Sequence, residues 1–427
     1  MTIILLTFFT YLVIGIPVSF AISLSSVSYI LITGAFPLST SVQRMAVAVE
    51  SWPLLAVPLF ILVGNLVTWG TMGTRLLGLC DKLVGHIRGG LAHVSIVVSM
   101  FFAGVSGSSV ADAASIGAIL IPEMDKKGYD TPFSVAINAT SSTIGIIIPP
   151  SIPLIVFAWM TNNSVRALFL GGVVPGILIG LTLMLVTYII AKKRGYPKRK
   201  RSTLKEVWAE FKSNFLVILI PVVILGSILG GIMTTTESAV SGIVYVIFLQ
   251  LFVYKEMKIK DIFHVFCESA RSTGVIVFVI SGSMLMSFIL TYEGIPQMIA
   301  RGILTITDNR IVIVLMMNIV FLFMGTILDV VPNITIFTPI FYPVAMQLGL
   351  SPIQFGVMMT VNLALGLFTP PVGQTLYVSC IIGKIPILRG AYACIPFLLG
   401  MLAVLFAIVL MPALTTFLPN LVFGTIR

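Results

Sequence analysis

Residues 101–124 read FFAGVSGSSVADAASIGAILIPEM, and residues 322–345 read LFMGTILDVVPNITIFTPIFYPVA. A second apolar stretch follows each of them and is interrupted by a proline pair, Pro149-Pro150 in one case and Pro370-Pro371 in the other. Moving the first copy along the chain by 221 positions places one proline pair on the other without a gap. The chain therefore contains an internal repeat whose centre is a break rich in small residues.

The composition is that of a protein that lies in lipid. Of the 427 residues, 58% are hydrophobic and only 9% are charged, and the mean hydropathy is +1.11. A soluble domain carries about 25% charged residues, and several runs here exceed the roughly 18 apolar residues that span a bilayer. We therefore predict an all-α polytopic membrane protein. The net charge of +10 does not indicate a nucleic-acid-binding protein, because its densest cluster lies in one loop.

Each copy of the repeat predicts a re-entrant hairpin, in which the chain enters the bilayer and leaves on the same side. The two apolar arms of each copy are too short to span comfortably. Non-helical backbone survives at membrane depth only where protein or a water-filled cavity satisfies it. The predicted arms are residues 91–103 and 110–122 around a break at 104–109, and residues 311–323 and 331–345 around a break at 325–330.

The basic loop Lys192–Lys212 sets the predicted topology. Lys and Arg concentrate in cytoplasmic loops, so we place this loop inside the cell. Counting crossings backwards from it puts the base of the first hairpin in the cytoplasm, and counting forwards puts that of the second outside. With residues 3–34 as one kinked span, the same count puts the N-terminus inside and the C-terminus outside. We predict two inverted-topology repeats, each with a re-entrant hairpin and a broken transmembrane helix. The first repeat is residues 1–190, with hairpin 1 near 89–125, and the second is residues 236–427, with hairpin 2 near 311–345. Residues 191–235 form the basic cytoplasmic loop and a linking helix between them.

Inverted repeats of this kind are typical of secondary transporters. Short apolar segments interrupted by Gly and Pro, at matching places in two halves, mark a binding site near the middle of the membrane. Unwound carbonyl groups and the ends of half-helices can coordinate a cation there. Ser106, Ser108 and Ser109 add hydroxyl groups at the first break, and Asp112 and Asp329 are carboxylates at the two breaks. An intramembrane carboxylate is a functional candidate by default.

Four motifs make the chain resemble a known family. They are GVSGS at residues 104–108 followed by Ala111-Asp112, IPPSIP at 148–153, LGGVVPG at 170–176 and TPPVG at 369–373. In combination, and over essentially the whole chain, they resemble the large membrane subunit of the tripartite ATP-independent periplasmic (TRAP) transporters. One departure is that the family's Thr-Pro-Thr-Glu is Thr234-Thr235-Thr236-Glu237 here.

The resemblance implies a transporter rather than an enzyme. Its expected activity is sodium-coupled import of an organic-acid anion, such as a C4-dicarboxylate, a sialic acid or a related sugar acid, across the bacterial inner membrane. Its expected partners are a small four-helix membrane subunit and a soluble periplasmic binding protein. The family also implies an elevator-type motion and no organic cofactor. Which organic acid is carried stays open.

The resemblance also assigns roles to residues of this chain. It places Na⁺ ligands at two sites: Ser106, Ser108, Ser109, Asp112 and Gly145 at the first, and Gly325, Asp329, Thr369 and Val372 at the second. Substrate anions are expected to meet the positive ends of half-helices and nearby polar groups. The substrate-binding candidates are Asn138, Ser141, Pro149, Pro150, Asn362, Pro370 and Pro371.

Other interpretations of the same residues stay open. Small residues in membrane helices often only permit close packing, and a carboxylate at the start of a half-helix can simply cap it. Asp112 and Asp329 could form the dyad of an intramembrane aspartyl protease, although the repeat places Asp112 on Asn333. A stand-alone anion/cation carrier, which needs no binding protein, is a further alternative.

Overall fold

The structure is a computed structural model that describes residues 2–307 and 309–424. Within these ranges the chain is helical and has no β-strand. Short 3-10 segments cover residues 52–55 and 142–146, and a π-helical turn covers residues 249–253. The α-helices in chain order are α1 Thr2–Val13, α2 Val18–Thr33, α3 Leu38–Val49, α4 Ala56–Thr68, α5 Met72–Val84, α6 Gly90–Ser106, α7 Ser109–Lys126, α8 Thr131–Ser141, α9 Ile152–Thr161, α10 Val165–Lys193, α11 Leu204–Leu229, α12 Thr235–Phe248, α13 Ile259–Tyr292, α14 Ile295–Ile306, α15 Arg310–Gly325, α16 Val330–Gln347, α17 Pro352–Gly366, α18 Gln374–Gly383, α19 Ile387–Leu410 and α20 Ala413–Phe423.

Several helix bounds of the two halves correspond at an offset of 221 positions. α7 begins at Ser109 and α16 at Val330, which is 221 positions later. α8 begins at Thr131 and α17 at Pro352, again 221 positions later. The proline pair of each half lies between the two pieces of a broken helix and is joined by a cis peptide bond. The offset read from the sequence therefore also relates the two series of helices.

The N-terminal apolar run is not the single kinked span predicted for residues 3–34. α1 and α2 pack against each other, and the Tyr11 hydroxyl lies 2.8 Å from the Ser28 hydroxyl. In one continuous helix these residues would be about 25 Å apart along the axis. Gly15, with φ +87°, lies in the turn that reverses the chain. That prediction is wrong because a Gly-Pro neighbourhood allows a full reversal as well as a kink.

Long apolar helices occur from residue 165 onwards. In the described residues, five helices are long and apolar enough to cross a membrane. A sixth span results if the segment Leu38–Val49 and the segment Trp52–Thr68, which are bent by 62°, count as one. The corresponding positions of the second half form the single 34-residue helix α13. The two halves thus differ most in this pair of elements.

The basic loop is shorter than the predicted Lys192–Lys212. α10 continues to Lys193 and α11 begins already at Leu204. A capping box starts α11, because the Thr203 hydroxyl accepts from the Glu206 N–H at 3.3 Å and the Glu206 carboxylate accepts from the Thr203 N–H at 3.0 Å. This reciprocal pair of hydrogen bonds stabilises the start of α11, which the many charged residues of this segment had indicated to be part of the loop.

A second capping box lies at Thr234–Glu237, where this chain lacks the proline of the Thr-Pro-Thr-Glu motif. The Glu237 carboxylate accepts from the Thr234 N–H at 2.8 Å, and the Thr234 hydroxyl accepts from the Glu237 N–H at 3.3 Å. α12 therefore begins cleanly at Thr235 without proline at its first turn.

The break of the first hairpin begins later than predicted. α6 continues through Gly104 to Ser106, so the irregular part is limited to residues 107 and 108. A Cβ on Gly104 would lie 2.8 Å from the Pro221 side chain of α11. This glycine therefore serves close helix packing, which is a common use of small residues in membrane helices.

The broken helices of the two halves pack across the repeat boundary. α8 contacts α18, and α9 contacts both α16 and α17. The ring of Phe157 in α9 lies 6.0 Å from that of Phe355 in α17, which in turn lies 6.1 Å from that of Phe321 in α15. These three buried rings join the second hairpin to both broken helices.

Candidate functional site

The first hairpin tip is a tight turn between α6 and α7. α6 ends at Ser106, and Gly107 adopts a left-handed φ of +59°. Ser108 caps α7, since its hydroxyl accepts from the Ala111 N–H at 3.4 Å. A Cβ on Gly107 would lie 2.8 Å from the carbonyl oxygen of Pro150. Glycine therefore lets the tip approach the first proline pair.

Asp112 is the buried carboxylate of the first tip. It has no exposed surface, and its Oδ1 accepts from the Ser106 hydroxyl at 2.6 Å. Its Oδ2 has no hydrogen-bond partner among the described residues. A Cβ on Gly145 would lie 2.5 Å from that Oδ2. The structure thus brings Ser106, Asp112 and Gly145 together around a carboxylate oxygen, and an ionised carboxylate in such a place is costly without a cation.

Asp329 lies at the second hairpin tip and caps α16. Its Oδ1 accepts from the Val330 N–H at 2.7 Å, which is the capping role considered above. The Val372 N–H donates to the Thr326 carbonyl at 3.1 Å. The second helix break is therefore attached to the second tip by a backbone hydrogen bond.

Of the remaining two predicted ligands of the second site, Gly325 lies in the contact between α15 and α17, and Thr369 follows the end of α17. A Cβ on Gly325 would lie 3.2 Å from the Leu363 carbonyl oxygen, so this glycine permits close approach of the two helices. The Thr369 hydroxyl donates to the Leu365 carbonyl at 2.7 Å. Thr369 lies with Phe368 and Pro370 in the wall of a cavity whose lining does not include Asp329.

Both tips face one small cavity of about 50 Å³. Ser109, a predicted ligand, lies in its wall together with Ile276 of α13. The wall also contains the first residues of α7, α9 and α16. A helix N-terminus carries a partial positive charge. Three such termini therefore converge on this space, an arrangement that favours an anionic group.

A larger cavity of about 500 Å³ adjoins the small one and shares Ile276, Asp329 and Val331 with it. It reaches the turn between α1 and α2 on one side and the second helix break on the other. Its polar side chains are those of Ser19, Asp329 and Gln374. Among the described residues, no Lys, Arg or His lines either cavity.

Comparison with known proteins identifies the family. A family model described as "Tripartite ATP-independent periplasmic transporter, DctM component" matches residues 5–414. The chain belongs to this family. It is thus a component of a TRAP transporter, a multi-pass protein of the bacterial inner membrane, and its family is one of transporters rather than enzymes. The intramembrane protease alternative has no support from this result.

Curated relatives of this TRAP component carry several substrate names. The chain is 35% identical over 410 residues to the sialic acid TRAP transporter large permease protein SiaM of Vibrio cholerae, covering 96% of each chain. It is 40% identical over 384 residues to the C4-dicarboxylate TRAP transporter large permease protein DctM of Pseudomonas aeruginosa, covering 89% of this chain and 90% of that protein. It is 36% identical over 412 residues to the isethionate TRAP transporter permease protein DctMQ of Oleidesulfovibrio alaskensis, covering 96% of this chain and 65% of that protein.

A solved structure shows the same fold at low identity. The YdaH transporter of Alcanivorax borkumensis aligns with a TM-score of 0.62 and 12% identity, over 87% of this chain and 86% of that one. This likeness concerns the fold alone.

Asn138, a predicted substrate ligand of this TRAP component, instead joins the two halves. Its Nδ2 donates to the Ala113 carbonyl at 2.9 Å and to the Ser379 hydroxyl at 2.8 Å. A Cβ on Gly117 would collide with the same amide at 2.5 Å. Asn138 is therefore packed among α7, α8 and α18 and does not line the cavities at the tips.

Two other predicted substrate ligands also bond to neighbouring helices. The Ser141 hydroxyl accepts from the Ser99 hydroxyl at 3.2 Å. The Asn362 amide donates to Oδ1 of Asn318 at 2.6 Å. Neither residue lines the cavities at the tips. Their role in substrate binding stays a prediction that the geometry does not favour.

The two proline pairs have different surroundings. Pro149 and Pro150 are buried beneath the first tip, whereas Pro370 and Pro371 are exposed on this chain. Pro lacks the N–H that closes a helical hydrogen bond, so both pairs interrupt their helices. The carbonyl of Pro150 in the first pair approaches the first hairpin tip at Gly107.

Sequence reasoning missed several residues that line the larger cavity. Ser19 and Gln374 are its two polar side chains besides Asp329, and Ile276 lines both this cavity and the small one. Gln374 directly follows the second break, so its position in the motif was an available signal. Ile276 gives no such signal, because one isoleucine in a long apolar helix resembles any other.

Proposed function

We propose that this TRAP component imports an organic-acid anion together with sodium ions. The observation that supports it most is the convergence of three helix N-termini and Asp329 on one space between the two hairpin tips. The N-termini suit a carboxylate or a similar anionic group. The carboxylate and the irregular backbone suit a cation.

Charge balance supports a coupling cation. An organic acid entering this space meets Asp329 without any Lys, Arg or His among the described lining residues. Two negative charges in a water-poor site repel one another strongly. Cations that enter with the substrate remove this repulsion. We therefore assign Na⁺ to the oxygen-rich clusters at the tips, one around Asp112 and one around Asp329, Thr369 and Val372.

The proposed substrate class is an organic acid such as a C4-dicarboxylate, a sialic acid or a related sugar acid. The names of the relatives specify sialic acid, C4-dicarboxylate and isethionate for those proteins. All three are compact or polar organic anions, which matches a space bounded by helix N-termini. The choice among them depends on side chains of the larger cavity, such as Ser19 and Gln374.

The proposed transport cycle is an elevator motion of two inverted repeats. The offset of 221 positions between the starts of α7 and α16 and between those of α8 and α17 supports the repeat. In this proposal the two hairpins and broken helices move together, and residues 1–190 and 236–427 form the two repeats around the linking region 191–235. The cavities at the boundary with α13 and the α1–α2 turn then mark the surface along which the moving part slides.

The proposed partners are a small four-helix membrane subunit and a periplasmic binding protein. Relatives named as large permease proteins support the first partner, and the word periplasmic in the family description supports the second. We expect little uptake by liposomes that contain this chain alone, because capture of dilute substrate falls to the binding protein.

The test is uptake into proteoliposomes with a panel of C4-dicarboxylates, sialic acid and related sugar acids. Each acid is offered to the chain alone and to the chain with the two partners. We expect uptake of one class of acid, and only with both partners present. Rapid uptake by the chain alone would contradict the tripartite proposal and favour the stand-alone carrier.

A further inference from the structure

Asn333 lies at the centre of the second hairpin tip. It is completely buried in the first turn of α16. Its Nδ2 donates to three backbone carbonyls: Leu328 at 3.0 Å, Asp329 at 3.1 Å and Met324 at 3.2 Å. Three carbonyl oxygens that belong to the end of α15 and to the turn thus converge on one amide nitrogen.

The surroundings fix the orientation of this amide. With the side chain turned over, Oδ1 would face three carbonyl oxygens, which repel it, whereas in the present orientation Oδ1 is buried without a hydrogen-bond partner among the described residues and Nδ2 makes three contacts. Several carbonyl oxygens converging on one point also describe how irregular backbone coordinates a cation. The Nδ2 group, with its two polarised hydrogens, therefore occupies a position that would otherwise suit a positive ion.

The first tip carries an acid at the same position of the repeat. Asp112 moved by 221 positions is Asn333. Asp112 accepts from Ser106 through one oxygen, while its other oxygen has no partner among the described residues. The Asp112 carboxylate at the first tip therefore needs a positive charge that the side chains of the tip do not supply. The second tip contains its own donor.

We propose that the Asn333 amide takes the place of a bound ion and holds the second tip closed in the absence of sodium. The carbonyls of Met324, Leu328 and Asp329 are then not sodium ligands. A sodium ion at the second tip is restricted to the side of the tip that carries the Asp329 carboxylate and faces Val372 in the second helix break. Asp112 is the ion-dependent counterpart of Asn333 at the first tip. This inference rests on the sodium coupling proposed above.

The test exchanges the two side chains and measures thermal unfolding of the purified protein in sodium chloride and in choline chloride of equal ionic strength. Asn333→Asp replaces the donor by an acceptor among three carbonyls. In choline we expect the unfolding midpoint to fall by about 5 °C or more. In sodium most of this loss is recovered, because the ion can now sit between the new carboxylate and the carbonyls. The reciprocal Asp112→Asn should shrink the sodium-dependent shift of the unsubstituted protein.

Asn318→Asp is the matched control. Asn318 is also a buried amide, in the adjoining helix α15, but its Nδ2 donates to a single carbonyl, that of Val314, and to the Met358 sulfur. The unfolding midpoint of the Asn318→Asp variant should fall by the same amount in sodium chloride and in choline chloride. This control separates general damage by a buried acid from creation of an ion site.

Each result decides the proposal. Sodium-specific recovery in Asn333→Asp, absent from Asn318→Asp, supports it. An equal loss in both salts, failure to fold even in sodium, or an unchanged midpoint in choline would overturn it. If the unsubstituted protein shows no sodium-dependent shift while Asn333→Asp does, the inference about Asn333 stands and the native sodium coupling fails.

Discussion

Gly145→Ala is expected to abolish most sodium-dependent uptake while the protein still inserts into the membrane. The added methyl group would lie 2.5 Å from Oδ2 of Asp112, closer than real contacts allow. Either the 3-10 turn or the hairpin tip must move, and overpacking of this kind costs about 1–3 kcal/mol. Since 1.4 kcal/mol corresponds to a tenfold change in an equilibrium, we expect uptake to fall about tenfold or more.

Gly226→Ala is the control for this substitution. Gly226 lies within α11, and a Cβ there would meet nothing within 4 Å. Alanine favours helix, so this variant should transport like the unsubstituted protein. Uptake is measured in proteoliposomes after the amount of inserted protein has been matched. Normal sodium-dependent uptake by Gly145→Ala would show that the space beside Asp112 holds neither an ion nor a moving part.

Asp329→Asn is expected to raise the sodium concentration for half-maximal uptake about tenfold. The amide keeps the size of the side chain and an oxygen that can still accept from the Val330 N–H. It removes the one negative charge of the described residues that line both cavities. A partly dehydrated cation loses that attraction, whereas the helix cap is retained.

Asp81→Asn provides a comparison that changes the same chemical group elsewhere. Asp81 pairs with Arg199 at 2.8 Å, outside both cavities. The sodium concentration for half-maximal uptake by the Asp81→Asn variant should match that of the unsubstituted protein. If Asp329→Asn behaves in the same way as Asp81→Asn, then Asp329 is only a helix cap and the second sodium position lies elsewhere.

Part of the fold follows from the sequence because the two proline pairs mark breaks in helices, although single residues such as Pro122 and Pro343 lie inside helices. The starts of α7 and α16 could be predicted to within one residue, and so could the breaks at both proline pairs, but both helices continue beyond their predicted ends at residues 122 and 345. The extent of the first break could not. Gly104 is compatible with a helix as well as with a turn, and the contact with Pro221 that decides between them comes from a distant segment.

The site was predictable in part for a similar reason. Carboxylates in a membrane segment are costly, so Asp112 and Asp329 attract attention from the sequence alone. Amides and hydroxyls do not stand out in the sequence in this way, because they bond across to a neighbouring helix as readily as they bind a ligand. Asn138 joins α8 to Ser379, and Asn333 closes the second tip. Sequence favoured the first of these as a ligand and gave no role to the second.

Uptake driven by separate sodium and proton gradients tests the central proposal most directly. Proteoliposomes with the complete transporter are given an inward sodium gradient, with the proton gradient collapsed by an ionophore, and then the reverse. We predict that uptake requires the sodium gradient and persists when the proton gradient is absent. Uptake that follows the proton gradient and ignores sodium would contradict the proposal and would make Asp112 and Asp329 proton carriers.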